Sequence, residues 1–329
     1  MVLTDGDPDR RLGLNVPASW WPTAPMLKGF EAAGFGWVQV HSPPAAMLRD
    51  RARAGRHAAA LRTTLETGAL RLVLHGPDDL VAGTRDADRA LDGLLDYAAA
   101  TGAEHVVYHG ANLPVADGGG AAARLHDRLA AEEESLQARI GRLEALGVTL
   151  AVENLAPVWP GPPRMCHSPA FIAALVTRLD SPRVGMLLDL GHAAITGDAR
   201  AALDAVAARV TLFHVHDNLG DRHDGTVAPG LDPLRLDLHL PPGSGRIDWA
   251  GIAPALRVHD APLVLEVHPP HRPEPLSLAE VTAELLLRDP ARAAAPGEPS
   301  PTPLAPARAV REDMRRAVSA ARSTRRARG

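Results

Sequence analysis

Between residues 12 and 288, short apolar segments alternate with longer segments in which apolar residues recur every three or four positions. In one longer segment, Leu91, Leu94, Leu95 and Ala98 share a helical face. Short, nearly continuous apolar runs are typical of strands that are buried on both faces, as in a parallel sheet. The pattern therefore predicts eight strands, at residues 12–16, 37–41, 71–75, 105–109, 149–153, 184–189, 210–216 and 262–266.

Eight strands that alternate with helices favour an α/β fold, most economically a closed (β/α)8 TIM barrel. An open, doubly wound sheet is the alternative, but no Gly-x-Gly-x-x-Gly motif follows the first strand. A length of 329 residues is normal for one such barrel with an extension. We assign residues 1–289 to the barrel and the remainder to a Pro/Ala/Arg-rich C-terminal extension.

The extension changes in character along its length. Residues 290–306 are rich in proline and alanine, which predicts an extended linker. Residues 307–329 are rich in alanine and arginine, and we expect a marginal basic helix or a disordered tail. In residues 308–329, eight Arg against one Glu and one Asp give a net charge of +6; the whole chain carries −4, so residues 1–307 carry −10. The barrel would repel a polyanion, which argues against a nucleic-acid partner.

Composition narrows the class of protein further. The apolar fraction of 46% suffices for a large core, and Cys166 is the single cysteine. One cysteine excludes an internal disulfide and a thiolate-rich zinc site. The sequence has no run of 18 uncharged apolar residues and no apolar leader segment, so we expect a cytoplasmic protein without a membrane span.

Six of the predicted strands carry a residue that is able to bind metal at or near their ends. In a barrel the carboxyl ends of the strands meet at one face, where the chemistry of such folds takes place. Ionisable side chains there are costly unless they are paired or bound to a cation. Any one of them has an ordinary explanation as a hydrogen-bonded core residue, but six in register indicate a shared site. Imidazoles and carboxylates without thiolates suit zinc, manganese, cobalt or iron. The six are His75, His109, Glu153, Asp189, His214 and Glu266.

Four motifs lie at or beside the late strands: LLDLGHA at 187–193, FHVHDN at 213–218, HLPPGSGRIDW at 239–249 and LVLEVH at 263–268. As an ordered set they resemble the xylose isomerase-like TIM barrel superfamily. That superfamily includes sugar phosphate isomerases and epimerases and the endonuclease IV type of abasic-site nuclease, AP endonuclease family 2. The resemblance spans residues 12–288, the whole of the predicted strand-and-helix pattern.

The resemblance to the sugar epimerases implies a divalent metal ion (manganese, zinc, cobalt or magnesium) held by Glu153, Asp189, His214 and Glu266. It also implies a small, carbohydrate-like substrate. The implied reaction is isomerisation or epimerisation of a sugar, sugar phosphate or polyol derivative, with removal of a proton next to a carbonyl. Glu153 and Glu266 are the implied catalytic pair. Dehydration of the inosose or dehydroshikimate type begins with the same step and is an alternative.

The endonuclease IV pattern adds five matching positions, which in the nuclease complete a three-metal cluster. In sugar isomerases such residues instead bind substrate or orient the ligands of one metal. The sequence departs from the nuclease pattern, since HGAN at 109–112 replaces His-Pro-Gly and the loops lack the basic clusters that grip DNA. A multinuclear zinc phosphodiesterase and a non-catalytic binding barrel remain alternatives. The five positions are His75, His109, His192, Asp237 and His239.

Three further residues are candidates for substrate binding. His41 ends the second predicted strand, and His216 follows His214 by two residues, so both histidines of that strand share one side. Trp159 lies in the Pro-rich loop 156–168 and is able to stack on a sugar ring. Each has an alternative role in the rim, the core or the packing of the loop. The oligomeric state stays open, with a homo-oligomer as one possibility.

Overall fold

Eight parallel strands form a closed barrel in sequence order, and pairing between the first and last strands completes it. The structure, a computed structural model, describes residues 8–116, 118–158, 161–220 and 236–288. The predicted (β/α)8 TIM barrel is confirmed. The strands are β1 (Leu12–Asn15), β2 (Trp37–His41), β3 (Arg71–His75), β4 (His105–Tyr108), β5 (Thr149–Glu153), β6 (Val184–Asp189), β7 (Val210–Val215) and β8 (Leu263–Leu265).

Helices follow the strands and cover the outside of the barrel. Several begin at side-chain caps; the Ser168 hydroxyl, for example, accepts from the N–H of Phe171 at 3.2 Å, and Pro169 occupies the first turn. The α-helices are α1 (Ala24–Ala32), α2 (Ala45–Leu48), α3 (Arg51–Leu65), α4 (Arg85–Thr101), α5 (Gly119–Gln137), α6 (Ile140–Leu146), α7 (Pro169–Leu179), α8 (Leu190–Thr196), α9 (Ala199–Val206), α10 (Trp249–Val258) and α11 (Pro275–Thr282). Short 3₁₀ turns span Pro8–Arg11, Met165–His167, Ala207–Arg209 and Pro269–His271, and a π-helical turn spans Ala283–Leu287.

Four strands, β1, β4, β7 and β8, end one residue earlier than the hydrophobic pattern predicts. His109, His216 and Glu266 each follow the last residue of β4, β7 and β8, respectively. The chain leaves the ladder there because loops begin at the barrel mouth, although the N–H of Glu266 still donates to the carbonyl of Val215 at 3.2 Å. The metal-capable residues therefore lie at the strand ends or one step beyond them.

Side chains inside the barrel form two successive layers. The lower layer is a compact apolar cluster, and Gly13 leaves room for it on β1, because a Cβ there would lie 2.9 Å from the Cβ of Trp37. Successive side chains alternate across a strand, so the residue two positions later on each strand also faces inward. The apolar layer is Trp37, Val73, Val107, Ala151, Leu187, Leu212 and Val264. The residues two positions later, which we call the polar ring, are Gln39, His75, His109, Glu153, Asp189, His214 and Glu266.

A larger aliphatic core lies between the strands and the helices. Its close packing holds the strands in place and thereby positions the polar ring. None of the helices in the described ranges is long and apolar enough to cross a membrane. The predicted linker and basic tail at 290–329 lie outside the described residues.

Candidate metal centre at the barrel mouth

Four residues of the polar ring form what we call the central group: Glu153, Asp189, His214 and Glu266. Strand register brings them together, because Asp189 pairs directly with His214 across β6 and β7. Nδ1 of His214 lies 3.1 Å from Oε1 of Glu153, 3.6 Å from Oδ2 of Asp189 and 3.5 Å from Oε2 of Glu266. Ligands at about 2.1 Å from a tetrahedral ion stand about 3.4 Å apart. The spacing of these atoms therefore fits one divalent cation.

The charge of the central group also fits a cation. Glu153, Asp189 and Glu266 are all buried, at 1%, 0% and 7% exposure. Burial alone lowers the pKa of His214, but the carboxylates of Glu266 and Glu153 outweigh it and raise that pKa to about 10. Within the central group one imidazolium faces three carboxylates, so the group itself keeps a net negative charge, which the neighbouring histidines His109 and His192 or a cation must balance. The donor set is thus suited to a doubly charged ion.

A second group extends from the central group through Glu153. Nε2 of His109 lies 2.9 Å from Oε2 of Glu153 and 3.2 Å from Nε2 of His75. Burial lowers the pKa of His75 to about 3, so its ring is neutral. Two imidazole nitrogens and a carboxylate oxygen thus converge at 2.9–3.8 Å. Glu153 uses one oxygen in each group and joins them.

A third group links α8 to the loop after β7. Oδ2 of Asp237 lies 3.2 Å from Nε2 of His192 and 2.8 Å from Nε2 of His239. Burial lowers the pKa of His239 taken alone, but Asp237 raises it to about 9. The structure therefore brings all nine family-matching positions to one mouth. Their donor atoms form four overlapping sets, and within each set the atoms lie within 4.8 Å of one another: His75, His109 and Glu153; Glu153, Asp189 and His192; Asp189, His214 and Glu266; and His192, His216, Asp237 and His239.

His216 contacts the side chains of Asp189 and His239. Its Nε2 lies 3.0 Å from Oδ2 of Asp189, and its ring stacks on that of His239 with centroids 4.0 Å apart and planes 17° apart. Donor atoms of His216, His192, Asp237 and His239 lie within 4.8 Å of one another, but imidazole lone pairs lie in the ring plane, so the nearly parallel rings of His216 and His239 do not direct theirs at one point. The geometry favours His216 as a hydrogen-bond donor to Asp189, with Gly191 making room, since a Cβ there would lie 2.1 Å from the His216 ring.

Of the other two candidates for substrate binding, His41 lies within the described residues and Trp159 does not. His41 ends β2 beside His75, with ring centroids 4.5 Å apart, and is only partly buried. Burial lowers its pKa, which keeps the ring neutral and able both to donate and to accept a hydrogen bond.

The Gly-rich turn after Asp237 is held by a buried carboxylate. Asp217 accepts hydrogen bonds from the N–H of Gly243 at 2.9 Å, the N–H of Ile247 at 3.2 Å and Nε1 of Trp249 at 2.9 Å. Gly245 has no space for a side chain, since a Cβ would lie 2.1 Å from Oδ1 of Asp217. The HLPPGSGRIDW motif therefore fixes the loop that carries Asp237 and His239 over the mouth.

Residues 28–288 match the family model described as xylose isomerase-like TIM barrel. The chain belongs to this family. Among curated proteins, no significant match is found.

Solved structures of xylose isomerase-like barrels share the fold at low sequence identity. A D-tagatose 3-epimerase-like protein is 17% identical, over 84% of this chain and 96% of that chain, with a TM-score of 0.64. The probable 3-DHS dehydratase AsbF, involved in petrobactin synthesis from Bacillus anthracis, is 11% identical over 83% and 98%, with a TM-score of 0.61. The TTHB071 protein from Thermus thermophilus, in a structure soaked with ZnCl2, is 22% identical over 84% and 97%, with a TM-score of 0.58.

Sequence reasoning assigned no role to three polar residues that lie beside the mouth of this xylose isomerase-like barrel. Gln39 is wholly buried in the polar ring and contacts both Glu266 and His214. The side-chain amide of Asn154 pairs with the backbone N–H and carbonyl of Asp189 at 2.9 and 3.0 Å. Arg272 donates to the side-chain oxygen of Asn15 at the rim. Strand alternation signals Gln39, which lies two residues after Trp37, whereas the other two depend on contacts between distant segments.

Proposed function

We propose that this chain is a divalent-metal-dependent isomerase or epimerase that moves a proton next to a carbonyl of a small sugar or polyol derivative. The observation that carries the proposal is the central group, in which three carboxylate oxygens each lie 3.1–3.6 Å from one imidazole nitrogen, Nδ1 of His214. Proteins that share the fold are named as a D-tagatose 3-epimerase-like protein and a probable 3-DHS dehydratase, which supports this reaction class.

Glu153, Asp189, His214 and Glu266 are the residues that we expect to hold the cation. When bound, a divalent cation supplies Lewis acidity toward a substrate carbonyl and its neighbouring hydroxyl. Mn, Zn, Co and Mg are the ions to test, because the donors are oxygen and imidazole nitrogen. The proton itself is handled by side chains of this chain.

Glu266 is our candidate for the carboxylate that removes the substrate proton. Its Oε1 accepts a hydrogen bond from Gln39, and its Oε2 faces the central group, 3.5 Å from Nδ1 of His214. His214 and His239 lower the pKa of Glu266 against the effect of burial, so the group is ionised and able to accept a proton. It is also more exposed than Glu153, at 7% against 1%.

Glu153 together with His109 is our candidate for returning the proton. Oε2 of Glu153 lies 2.9 Å from Nε2 of His109. Burial alone lowers the pKa of His109, but the Glu153 carboxylate outweighs it and raises that pKa. His109 thus holds a proton directly beside Glu153, at the edge of the mouth, where its side chain is 12% exposed. Return of the proton to the same or a neighbouring carbon gives epimerisation or isomerisation.

Dehydration of the inosose or dehydroshikimate type is a variant of the same proposal. The first proton removal is identical, and loss of a β-hydroxyl then replaces the return of the proton to carbon. A neutral His41 at the rim is suited to bind a hydroxyl of either kind of substrate, since it donates and accepts hydrogen bonds.

A multinuclear zinc phosphodiesterase is the second candidate function. The observation that favours it is the double use of Glu153, which joins the central group to the His75 and His109 pair, with the Asp237 group alongside. The negative charge of the barrel opposes a nucleic-acid substrate. For this second candidate we therefore expect a small phosphodiester as the substrate.

Metal analysis and solvent-isotope exchange together test these candidates. We expect protein purified without chelator to hold about one divalent ion per chain, and D₂O incubations with ketoses, inososes and sugar phosphates to introduce deuterium at carbon. About three zinc ions per chain, with hydrolysis of a chromogenic phosphodiester and no deuterium exchange, would establish the second candidate instead. A protein that binds no Mn, Zn, Co or Mg would overturn both.

A further inference from the structure

Gln39 joins two members of the central group from across the barrel. It lies on β2, whereas His214 lies on β7 and Glu266 follows β8. Its side-chain nitrogen donates to Oε1 of Glu266, and its side-chain oxygen lies 2.8 Å from Nε2 of His214. Gln39 and His214 are both completely buried, at 0% exposure, so water does not replace either contact.

The chemistry of these neighbours dictates the orientation of the Gln39 amide. An ionised carboxylate only accepts hydrogen bonds, so the amide NH₂ faces Glu266. The amide oxygen then faces His214, and an amide oxygen also only accepts. Nε2 of His214 must therefore carry a hydrogen. The opposite amide orientation would place two acceptors against each other at Glu266, at a cost of a lost buried hydrogen bond.

The tautomer of His214 follows from this amide. With the hydrogen on Nε2, a neutral His214 presents the lone pair of Nδ1 to three carboxylate oxygens at 3.1–3.6 Å. A lone pair that faces three anions is repulsive unless a proton or a metal ion lies between them, so a bound cation would take the place of the proton on Nδ1. The contacts of Gln39 thus prepare His214 and Glu266 for one shared ion.

Three other histidines of the mouth, His75, His192 and His239, have their tautomers set by the backbone. In each, Nδ1 donates to a carbonyl oxygen and Nε2 faces the neighbouring ligand-type residues, the arrangement typical of metal-binding histidine. His214 differs because its acceptor is a side chain, which a substitution is able to remove. The three backbone contacts are His75 to Gly76 at 2.9 Å, His192 to Asn154 at 2.8 Å and His239 to Glu266 at 2.7 Å.

We infer that Gln39 is a positioning residue that sets the tautomer of His214 and orients Glu266 so that both bind one divalent cation. The inference rests on the cation of the proposed function, but not on the reaction or the substrate. It deepens that proposal by naming the residue on which the affinity of the site for its metal depends.

The test compares metal affinity in Gln39→Met and in the matched control Gln137→Met. Methionine keeps the length of the side chain and removes both hydrogen bonds, and Gln137 is the exposed last residue of α5. We expect Gln39→Met to bind Zn²⁺ and Co²⁺ about 10–100-fold more weakly than the wild type in a chelator competition, since loss of such partners has that effect. We expect the control to match the wild type.

A second variant keeps the test decisive if Gln39→Met folds poorly. Gln39→Glu restores an acceptor for Nε2 of His214 but places a like charge beside Glu266. We expect its Co²⁺ affinity to lie between those of the wild type and Gln39→Met, with a ¹⁵N spectrum of the Zn-loaded protein that keeps the hydrogen on Nε2 of His214.

Wild-type affinity in both Gln39 variants would overturn the inference, as would a wild-type protein that binds no divalent metal. A lower thermal midpoint with unchanged metal affinity would also overturn it, since that is the signature of a purely structural residue. Metal binding that depends on Gln39 without any sugar turnover would overturn the proposed reaction and leave the inference standing.

Discussion

Nδ1 of His214 lies 3.1 Å from Oε1 of Glu153, and both side chains are at most 2% exposed. The two residues come from β7 and β5, which are separated in the barrel by β6. A carboxylate and an imidazole at this depth either share a proton or bind a common cation, because neither is stable there as an isolated charge. The raised pKa of His214, about 10, means that without metal the pair is held together by a proton.

Glu153→Gln is expected to reduce both metal content and turnover. Glu153 supplies one oxygen to the central group and the other to the His109 group, so the amide, which has a single oxygen, is able to serve only one of the two groups. We expect turnover to fall by about 10²–10⁴-fold, the usual contribution of a general acid or base, and more if the metal is lost. Metal analysis and the rate of deuterium exchange on the same sample measure this.

Glu132→Gln is the matched control for this change. Glu132 is equally buried but accepts from the Tyr108 hydroxyl at 2.6 Å and the N–H of Ala111 at 2.9 Å, away from the polar ring. We expect it to lower the thermal midpoint and leave metal content intact. Full metal content in Glu153→Gln would contradict the assignment of Glu153.

Gly191→Ala is expected to weaken metal binding through His216. The new methyl group would lie 2.1 Å from the His216 ring, which must then move away from Oδ2 of Asp189. Loss of such a supporting contact costs about 10–100-fold in metal affinity. Gly141→Ala in α6 is the control, because nothing lies within 4 Å of a Cβ there. Equal metal affinity in the two variants would show that His216 does not support Asp189.

Asp217→Asn is expected to loosen the loop that carries Asp237 and His239. The Asp217 carboxylate accepts several N–H groups, and an amide would turn one acceptor into a donor that faces them. We expect the free energy of unfolding to fall by about 3 kcal/mol, with greater solvent exposure of Trp249 in fluorescence quenching. Asp248→Asn, at the N-cap of α10, should cost about 1 kcal/mol or less. Unchanged quenching in Asp217→Asn would refute this role.

His105 is expected to make the fold sensitive to mild acid. Burial lowers the pKa of His105 from 6.5 to about 4, and its Nδ1 has no hydrogen-bond partner in the described ranges. The unfolded chain therefore binds a proton first as the pH falls, and stability is lost between about pH 6.5 and pH 4, by up to about 3 kcal/mol. Above pH 6.5 both states are neutral and the effect is absent.

Comparison of thermal midpoints at pH 7 and pH 5 measures this effect. His105→Phe keeps the edge contact with Trp37, whose ring centroid lies 5.5 Å away, and removes the titrating group. We expect its midpoint to fall less on acidification than that of the wild type. His126 is exposed, so the thermal midpoint of His126→Phe should fall as much as that of the wild type. An equal fall of the midpoint in all three proteins would show that His105 does not cause the acid sensitivity.

The linear order of residues is enough to predict the barrel and the outline of the centre. Apolar runs with period-two alternation and amphipathic segments between them depend only on neighbours along the chain, so eight strands and their polar ends are visible without coordinates. The sequence likewise shows His75, His109, Glu153, Asp189, His214 and Glu266 at or near the strand ends. In the folded barrel these six residues lie on the inner face, two residues beyond the apolar layer.

The division of these residues into groups, and the contacts that support them, depend on the folded barrel. Glu153 joins two groups, His216 turns toward Asp189, and Gln39 reaches across the barrel to His214 and Glu266. Each of these contacts spans segments that are distant in sequence. Their distances are set by barrel closure, strand register and side-chain reach, and no local pattern of hydrophobic and polar residues encodes those quantities.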